Sequence, residues 1–216
     1  DVNWLEDFKE YLNQAKRINS NSLLSQNTKN SYFNKVKAAL KEAHKDGIII
    51  NNPALKVKSI KPGDSEREFL TIDELKAMAK VECEEPHLKR AFLFSALTGL
   101  RWSDIIKLVW SEIQFSKENG YYIRFRQKKT KGAETLPISE QAYKLLGERK
   151  DNEQLVFLDL RYSAWNNTKL RKWAIKSGIT KKITFHCARH TYATLQLTLG
   201  TDIYTVSKLL GHKDLK

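Results

Sequence analysis

Several stretches of this chain combine apolar residues at helical spacing with a glycine directly after the last of them. The clearest are residues 167–177, 185–199 and 202–210, which are followed by Gly178, Gly200 and Gly211. Spacings of three and four residues place side chains on one face of a helix, and glycine is a common residue just past a helix end. The sequence therefore predicts a mainly α-helical fold.

Two more helices are predicted in the middle of the chain, over residues 87–97 and 102–110. Gly99 ends the first of them, so that Arg101 lies at their junction. Three tryptophans in or next to predicted helices suit core positions, and contact with a nucleic acid is the alternative for them. These residues are Trp102, Trp165 and Trp173.

A short β segment interrupts the helices. Residues 121–127 are rich in residues that favour strands, and residues 134–138 can return as a second strand. The stretch between them is polar, contains three lysines and ends in Gly132. These segments predict a β-hairpin with a basic tip, so the fold class is mainly α with a small β-hairpin or sheet.

The N-terminal part of the chain predicts two amphipathic helices. Gly47 is a natural end for the second, and Asn27 or Thr28 could cap its start. The turn-forming residues 51–53 then close the unit. The apolar positions are Trp4, Leu5, Phe8, Tyr11, Leu12 and Ala15 in the first helix, and Tyr32, Phe33, Val36, Ala39, Leu40 and Ala43 in the second.

Residues 56–67 predict a linker, because they contain a Pro-Gly pair and many charges but no sustained apolar periodicity. We place a domain boundary at Pro62, which gives one domain over residues 1–62 and another over residues 63–216. Thr71 with Glu74 forms a capping-box pattern soon after this boundary. A new helical domain is therefore expected to begin there.

The chain is strongly basic, with a formal net charge of +13 over 216 residues. Residues 1–62 carry 11 basic and 6 acidic side chains, and residues 63–216 carry 27 and 19. Because both parts are basic, the charge favours a polyanion such as nucleic acid that is contacted along the whole molecule. A generally lysine-rich cytosolic protein is the alternative.

Other features of the composition exclude several classes of protein. The two cysteines, Cys83 and Cys187, lie far apart and show no zinc-site or disulfide pattern. No apolar run approaches the roughly 18 residues that span a bilayer, and the first residues lack the pattern of a signal peptide. We therefore expect a cytoplasmic protein without a membrane partner.

Three short motifs carry side chains suited to binding an anion. They are residues 98–104 (Thr-Gly-Leu-Arg-Trp-Ser-Asp), residues 185–194 (Phe-His-Cys-Ala-Arg-His-Thr-Tyr-Ala-Thr) and residues 210–212 (Leu-Gly-His). His186 and Arg189 are three residues apart, so on a helix both project from one face toward a common partner. A guanidinium is a planar, permanently charged fork that can hold two phosphoryl oxygens together.

Together the three motifs resemble the dispersed active site of the tyrosine recombinases, the phage-integrase family, and the resemblance extends over most of the chain. It implies a helical core-binding, SAM-like DNA-binding domain over residues 1–62 and a mixed α/β catalytic domain over residues 63–216. By this resemblance, Arg101 and Arg189 clamp the phosphate. His186 contacts the phosphate and takes part in proton handling on the nucleophile, while His212 donates to a nonbridging oxygen.

The resemblance also implies a general acid on the hairpin tip. Alignment on the Lys-Thr pair and on the Leu-Pro pair that follows assigns this role to Lys129, which would protonate the leaving 5′ oxygen. Lys128 and Lys131 are close competitors for the role, and otherwise they are expected to bind DNA phosphates.

Two further side chains near these motifs have supporting roles by the same resemblance. Asp104 matches an acidic residue that holds an arginine or a histidine in place. No cluster of carboxylates accompanies it, so we expect neither a metal ion nor another cofactor. His190 is expected to be a helix-packing residue.

The family's nucleophile is a tyrosine that follows the histidine matched by His212, and we expect it beyond Lys216, outside this chain. Tyr192 and Tyr204 both precede His212 and fit helix-packing positions, so neither matches the motif. We accordingly expect the natural protein to be longer at both ends, and we expect this chain alone to lack cleavage activity.

The resemblance implies a site-specific DNA recombinase, an integrase of a bacterial mobile element of the phage or conjugative-transposon type. It would cleave and rejoin double-stranded attachment sites through a 3′-phosphotyrosyl intermediate, as a tetramer on paired sites in the cytoplasm with the nucleoid. A DNA-bending accessory protein is a further partner that the resemblance allows. The alternatives are a noncatalytic DNA-binding protein on the same scaffold and a type IB topoisomerase.

Overall fold

The computed structural model describes residues 1–64, 66–126, 133–158, 160–161 and 163–212. The chain divides into two compact units, Asp1–Glu66 and Arg67–Lys216. The first unit continues past Pro62 because residues 60–63 bind side chains of its second helix. Gln26 Nε2 donates to Lys61 O at 2.8 Å, and Gly63 N donates to Asn27 Oδ1 at 2.9 Å.

The first unit contains two helices, α1 (Val2–Gln14) and α2 (Gln26–Lys45), followed by a 3-10 helix at Pro53–Leu55. Ser25 caps α2, so the predicted cap at Asn27 or Thr28 was wrong by two or three residues. Ser25 Oγ instead accepts from Thr28 N, one of the backbone donors that a helix start leaves unsatisfied. The buried core residues are Leu5, Leu12, Phe33, Ala54, Val57 and Ile60.

The second unit is also mainly helical. Its longest helices surround α4, which is buried along most of its length, and α8 packs against α4. The predicted capping box of Thr71 and Glu74 is confirmed at the start of α3. The helices are α3 (Ile72–Lys80), α4 (Pro86–Thr98), α5 (Trp102–Ile105), α6 (Glu140–Lys144), α7 (Ala164–Lys176), α8 (Phe185–Thr198) and α9 (Ile203–Leu209).

One antiparallel sheet accompanies these helices. Its strands are β1 (Ile113–Ser116), β2 (Gly120–Arg126) and β3 (Ala133–Pro137), in the order β1-β2-β3. Ile123 pairs with both Ile113 and Leu136, and all three side chains are buried in the core. The predicted hairpin and the predicted fold class are thus confirmed, while the hairpin tip, residues 127–132, lies outside the described residues.

The helix predicted over residues 102–110 was too long. Helix α5 ends at Ile105, and after a turn the backbone pairs with a distant segment through an isolated bridge between Val109 and Leu155, directly before a 3-10 helix at Trp110–Glu112. Val156 N donates to Leu108 O at 2.8 Å, and Trp110 N donates to Gln154 O at 3.1 Å. This tertiary pairing overrides the helical spacing of the apolar residues, which the sequence alone could not reveal.

The three tryptophans expected in the core differ in burial. Trp173 is buried, and Trp102 is half-buried against the ring of Phe185. Trp165 is 58% exposed, so its prediction as a core residue was wrong. It lies on the first turn of α7 with the ammonium of Lys172 5.8 Å from its ring centroid. Among the described residues, no helix is long and apolar enough to cross a membrane.

Candidate active site

A cavity of about 250 Å³ lies where the α4–α5 junction meets the starts of α7 and α8. Three of the predicted site residues line it: Arg101, His186 and Arg189. Its wall also includes Ser163, Asn166 and Asn167 of the α7 start, along with Ser95, Leu100, Trp102, Thr184 and Phe185. Segments far apart in sequence therefore bring two guanidinium groups and an imidazole to one space.

Arg189 holds the centre of this arrangement. It is only 6% exposed, and its guanidinium donates to Gly99 O at 2.6 Å and to Leu210 O at 2.5 Å. Its Nη2 also lies 3.2 Å from His212 Nε2. Arg189 thereby ties together all three motifs that the sequence singled out, because Gly99 belongs to the first and Leu210 and His212 to the third.

The electrostatic environment of Arg189 favours an anion. Burial, together with the nearby positive charge of Arg101, lowers the pKa of Arg189 to about 10, while the charge of Asp104 raises it. Arg189 therefore stays protonated at neutral pH, but at a cost in desolvation and repulsion. A negatively charged group in the cavity would reduce that cost for both arginines.

Arg101 reaches the cavity from the N-terminal end of α5. It is the N-cap residue of that short helix and is half-buried, directly after the turn made by Gly99. Asp104 lies on the same helix, is 2% exposed, and has Oδ1 3.8 Å from Lys107 Nζ. A buried carboxylate that raises the pKa of Arg189 is consistent with the supporting role predicted for Asp104.

His186 and His190 contact each other on one face of α8. His186 lies in the first turn and is exposed, and the two rings meet edge to face with centroids 4.6 Å apart. Burial is the main cause that lowers the pKa of His190, and the charges of His186, Arg67 and Arg189 lower it further. His190 is thus a half-buried packing residue that also touches a predicted site residue.

His212 lies directly after Gly211, which has a positive φ of 62°. Its backbone N–H donates to Ser207 O at 3.0 Å, which holds the residue at the end of α9. Because an arginine nitrogen can only donate, the contact with Arg189 requires His212 Nε2 to be the acceptor. In neutral His212 the proton is then on Nδ1.

Three predicted lysines and the two tyrosines rejected as nucleophiles complete the residues named in the sequence analysis. Lys128, Lys129 and Lys131 are outside the described residues. Tyr192 is 6% exposed, and burial raises the pKa of its phenol, which makes it a poor nucleophile. Tyr204 is 57% exposed and lines a different cavity, beside Phe125 and Leu136. Neither tyrosine therefore has the setting that a nucleophile at Arg101 and Arg189 needs.

The polar wall formed by Ser163, Asn166 and Asn167 was missed by the sequence reasoning. Ser163 caps α7, with its Oγ accepting from Trp165 N at 3.1 Å, so a serine just before a helical stretch was the available signal. Asn167 was less visible, because its partner is the backbone of α8. Within the described residues, no group of three or more His, Cys, Asp or Glu side chains could hold a metal ion.

The lowered pKa of His190 predicts a dependence of stability on pH. A histidine whose pKa is lower in the folded state stabilises that state above its unfolded pKa, and the contribution is lost as the pH falls from there through the folded pKa. We expect the urea midpoint of His190→Gln to fall less between pH 7.5 and pH 5 than that of the parent. Equal pH dependence in the two proteins would contradict the assignment.

Two sequence-family models match the chain in succession. The phage integrase SAM-like domain matches residues 1–59, and the phage integrase family matches residues 68–216. Together they leave only residues 60–67 between them unmatched.

Individual relatives agree with these matches. A tyrosine recombinase XerA of Saccharolobus solfataricus is 32% identical over 155 residues, which cover 69% of this chain and 50% of the relative. A tyrosine recombinase of Thermosipho africanus is 28% identical, covering 86% of this chain and 65% of the relative. The integrase of Salmonella phage P22 is 27% identical, covering 88% and 52%. The chain thus spans about half to two thirds of the length of these relatives.

Solved structures share the fold. A lambda integrase dimer bound to a COC′ core site superposes with a TM-score of 0.70 at 20% identity, covering 99% of this chain and 79% of that chain. The Tn1549 transposon integrase in complex with circular intermediate DNA has a TM-score of 0.67 at 20% identity, covering 98% and 78%. At these identities the likeness establishes the fold alone.

Proposed function

This chain belongs to the phage integrase family, and we propose that the protein is a site-specific DNA recombinase that cleaves and rejoins DNA by transesterification. The observation that carries the proposal is the buried guanidinium of Arg189, which shares a cavity with Arg101 and His186 and contacts His212. Relatives named as tyrosine recombinases and integrases support it.

In this proposal Arg101 and Arg189 bind the scissile phosphate. Attack on phosphorus builds negative charge on the nonbridging oxygens, and preorganised donors stabilise that charge most when they are desolvated. Arg189 meets both conditions, because it is buried and its orientation is fixed by two backbone carbonyls. Asp104 limits the repulsion between the two arginines.

The histidines and lysines complete the proposed chemistry. His186 contacts the phosphate from the first turn of α8 and handles a proton on the nucleophile. His212 donates from Nδ1 to a nonbridging oxygen while its Nε2 accepts from Arg189. Lys129 protonates the leaving 5′ oxygen, with Lys128 and Lys131 as competitors for that role.

The nucleophile in this proposal is a tyrosine that follows Lys216 in the natural protein. Its attack forms a phosphotyrosine bond to the 3′ side of the break and releases the 5′ hydroxyl. Attack of a 5′ hydroxyl on that bond then reseals a strand and frees the tyrosine. The phosphotyrosine bond conserves the energy of the phosphodiester between the two steps, so resealing needs no nucleotide. In this proposal the two arginines supply the positive charge at the phosphate, so no metal ion is needed.

The partners proposed for the full-length protein are double-stranded attachment sites and further copies of itself. The structures of related integrases with core-site and circular intermediate DNA support the first partner. We place the protein in the cytoplasm with the nucleoid, as a tetramer on paired sites that can include a DNA-bending accessory protein. The strongly basic charge of +13 suits such a polyanionic partner.

The proposal is tested by incubating the full-length protein with a nicked suicide substrate that carries its attachment site, in the presence of EDTA. We expect a covalent protein–DNA band that disappears when the tyrosine following Lys216 is changed to phenylalanine. Tight binding without such a band would leave only the noncatalytic DNA-binding protein. Relaxation of supercoiled plasmid lacking an attachment site would instead indicate a type IB topoisomerase.

A further inference from the structure

The first turn of α8 has to be held accurately, because it carries His186 and is followed one turn later by Arg189. A helix start leaves backbone N–H groups without intrahelical partners, and the N-cap side chain usually accepts from one of them. Here the N-cap residue Thr184 forms a capping box with Cys187: Thr184 N donates to Cys187 Sγ at 3.3 Å, and the Thr184 hydroxyl lies 3.3 Å from the same sulfur. The backbone N–H of Phe185, at the first helical position, is not part of this capping box and needs a different acceptor.

A side chain from another helix supplies that acceptor. Asn167 Oδ1 accepts from the backbone N–H of Phe185, the first residue of α8, at 3.0 Å. Asn167 belongs to the first turns of α7, is half-buried, and lines the same cavity as Arg101, His186 and Arg189. It is thus bound to the helix that carries two predicted site residues and lies beside the space they share.

The side chain of Phe185 fixes the same turn from another direction. Its ring meets Trp102 edge to face with centroids 4.6 Å apart, and it meets Phe92 in the same way at 6.0 Å. Trp102 directly follows Arg101 in the chain. Phe185 therefore connects the start of α8 to the segment that carries Arg101. Asn167 binds the backbone of Phe185, and the two aromatic rings pack against its side chain.

We propose that Asn167 is a positioning residue for phosphate binding: by capping α8 from α7, it sets where His186 and Arg189 stand relative to Arg101. The proposal rests on the proposed recombinase function. Asn167 acts through the backbone of Phe185, so its loss displaces the clamp without removing any charged group. A displacement of about 1 Å at reacting groups can cost about 100-fold in rate.

The test compares Asn167→Ala with Ser139→Ala in the full-length protein. Ser139 caps α6, which carries none of the predicted site residues, and its Oγ accepts from Ala142 N at 3.2 Å. Each variant therefore loses one helix cap. With saturating protein on a suicide substrate, we expect Asn167→Ala to cleave between about 10-fold and about 100-fold more slowly than the parent. Ser139→Ala should cleave at the parent rate.

A substrate with a methylphosphonate at the scissile position separates positioning from general loss of stability. Replacing one nonbridging oxygen with methyl removes the charge that the arginines must stabilise, so clamp placement matters less. The penalty of Asn167→Ala should then shrink to within about threefold of the parent on that substrate. A penalty of the same size on both substrates would overturn the proposal.

Asn167→Asp keeps an oxygen that can accept from Phe185 N, so it provides a second test in case Asn167→Ala does not fold. It adds a negative charge near the phosphate, but the neutral methylphosphonate avoids most of the resulting repulsion. On that substrate we expect cleavage within about threefold of the parent, and slower amide exchange at Phe185 than in Asn167→Ala. If Asn167→Ala fails to fold, Asn167→Asp decides alone. Cleavage of the methylphosphonate by Asn167→Asp that is far slower than this threefold range would overturn the proposal.

Failure of the proposal and failure of the proposed function give different results. If Asn167→Ala exchanges its Phe185 amide faster but cleaves at the parent rate, the capping contact exists and the positioning role is wrong. If the parent itself forms no covalent product on the suicide substrate, the recombinase function is wrong, whatever the variants do.

Discussion

Replacing Arg189 with alanine is expected to slow DNA cleavage by the full-length protein at least about 1,000-fold, the range seen when a charge-stabilising arginine is removed from a phosphoryl-transfer site. The guanidinium is buried, and its three contacts with Gly99, Leu210 and His212 hold it at the cavity. The measurement is the single-turnover cleavage rate on a suicide substrate at saturating protein.

The change will also weaken the fold, because Gly99 O and Leu210 O lose their donor. Buried acceptors left unsatisfied cost about 1–3 kcal/mol each. A matched control is therefore needed, and Arg90 supplies one. Its guanidinium also donates to two backbone carbonyls, Leu145 O at 2.9 Å and Leu146 O, and it lines a separate cavity beside Trp110.

Arg90→Ala should lower the free energy of unfolding by a similar amount but leave the cleavage rate of the folded fraction near that of the parent. Arg189→Ala should lose both stability and cleavage. If Arg189→Ala cleaved at the parent rate, its assignment as a phosphate ligand would be wrong. If both variants slowed cleavage equally, the loss would come from stability and not from the chemistry.

The fold was largely predictable because its helices have strong local signals. Apolar spacing with a terminal glycine located α4, α7, α8 and α9, and a capping box located the start of α3. The prediction was wrong where a tertiary contact decided the structure. Pairing of Leu108 with Val156 ended α5 early, and no local signal in the sequence carries that contact.

The candidate site was predictable for a different reason. Its residues belong to three motifs that resemble a known family, and the resemblance supplied roles that spacing alone could not. The structure adds the contacts between the motifs, in particular the bonds from Arg189 to Gly99 O and Leu210 O. Such contacts join side chains to the backbone of distant segments, so residue types do not reveal them. The roles of Lys128, Lys129 and Lys131 stay predictions.

Gly99→Ala is the second change with a large expected effect, on stability. Gly99 has a φ of 71°, a conformation that costs residues with a Cβ about 1–2 kcal/mol. An added Cβ would also lie 2.6 Å from Tyr192 Cδ1 and 2.8 Å from Leu210 Cδ2, closer than carbon atoms approach. Overpacking of this kind costs about 1–3 kcal/mol, so we expect a total loss of about 3 kcal/mol in the free energy of unfolding.

Gly178→Ala separates these two costs. Gly178 ends α7 in the same unit with a φ of 80°, and an added Cβ there would have no atom within 4 Å. It should therefore lose only the conformational cost of about 1 kcal/mol, measured like Gly99→Ala by urea unfolding. Equal losses in the two variants would contradict the tight packing around Gly99. Because Gly99 O and Leu210 O both bind Arg189, Gly99→Ala should also slow cleavage, whereas Gly178→Ala should not.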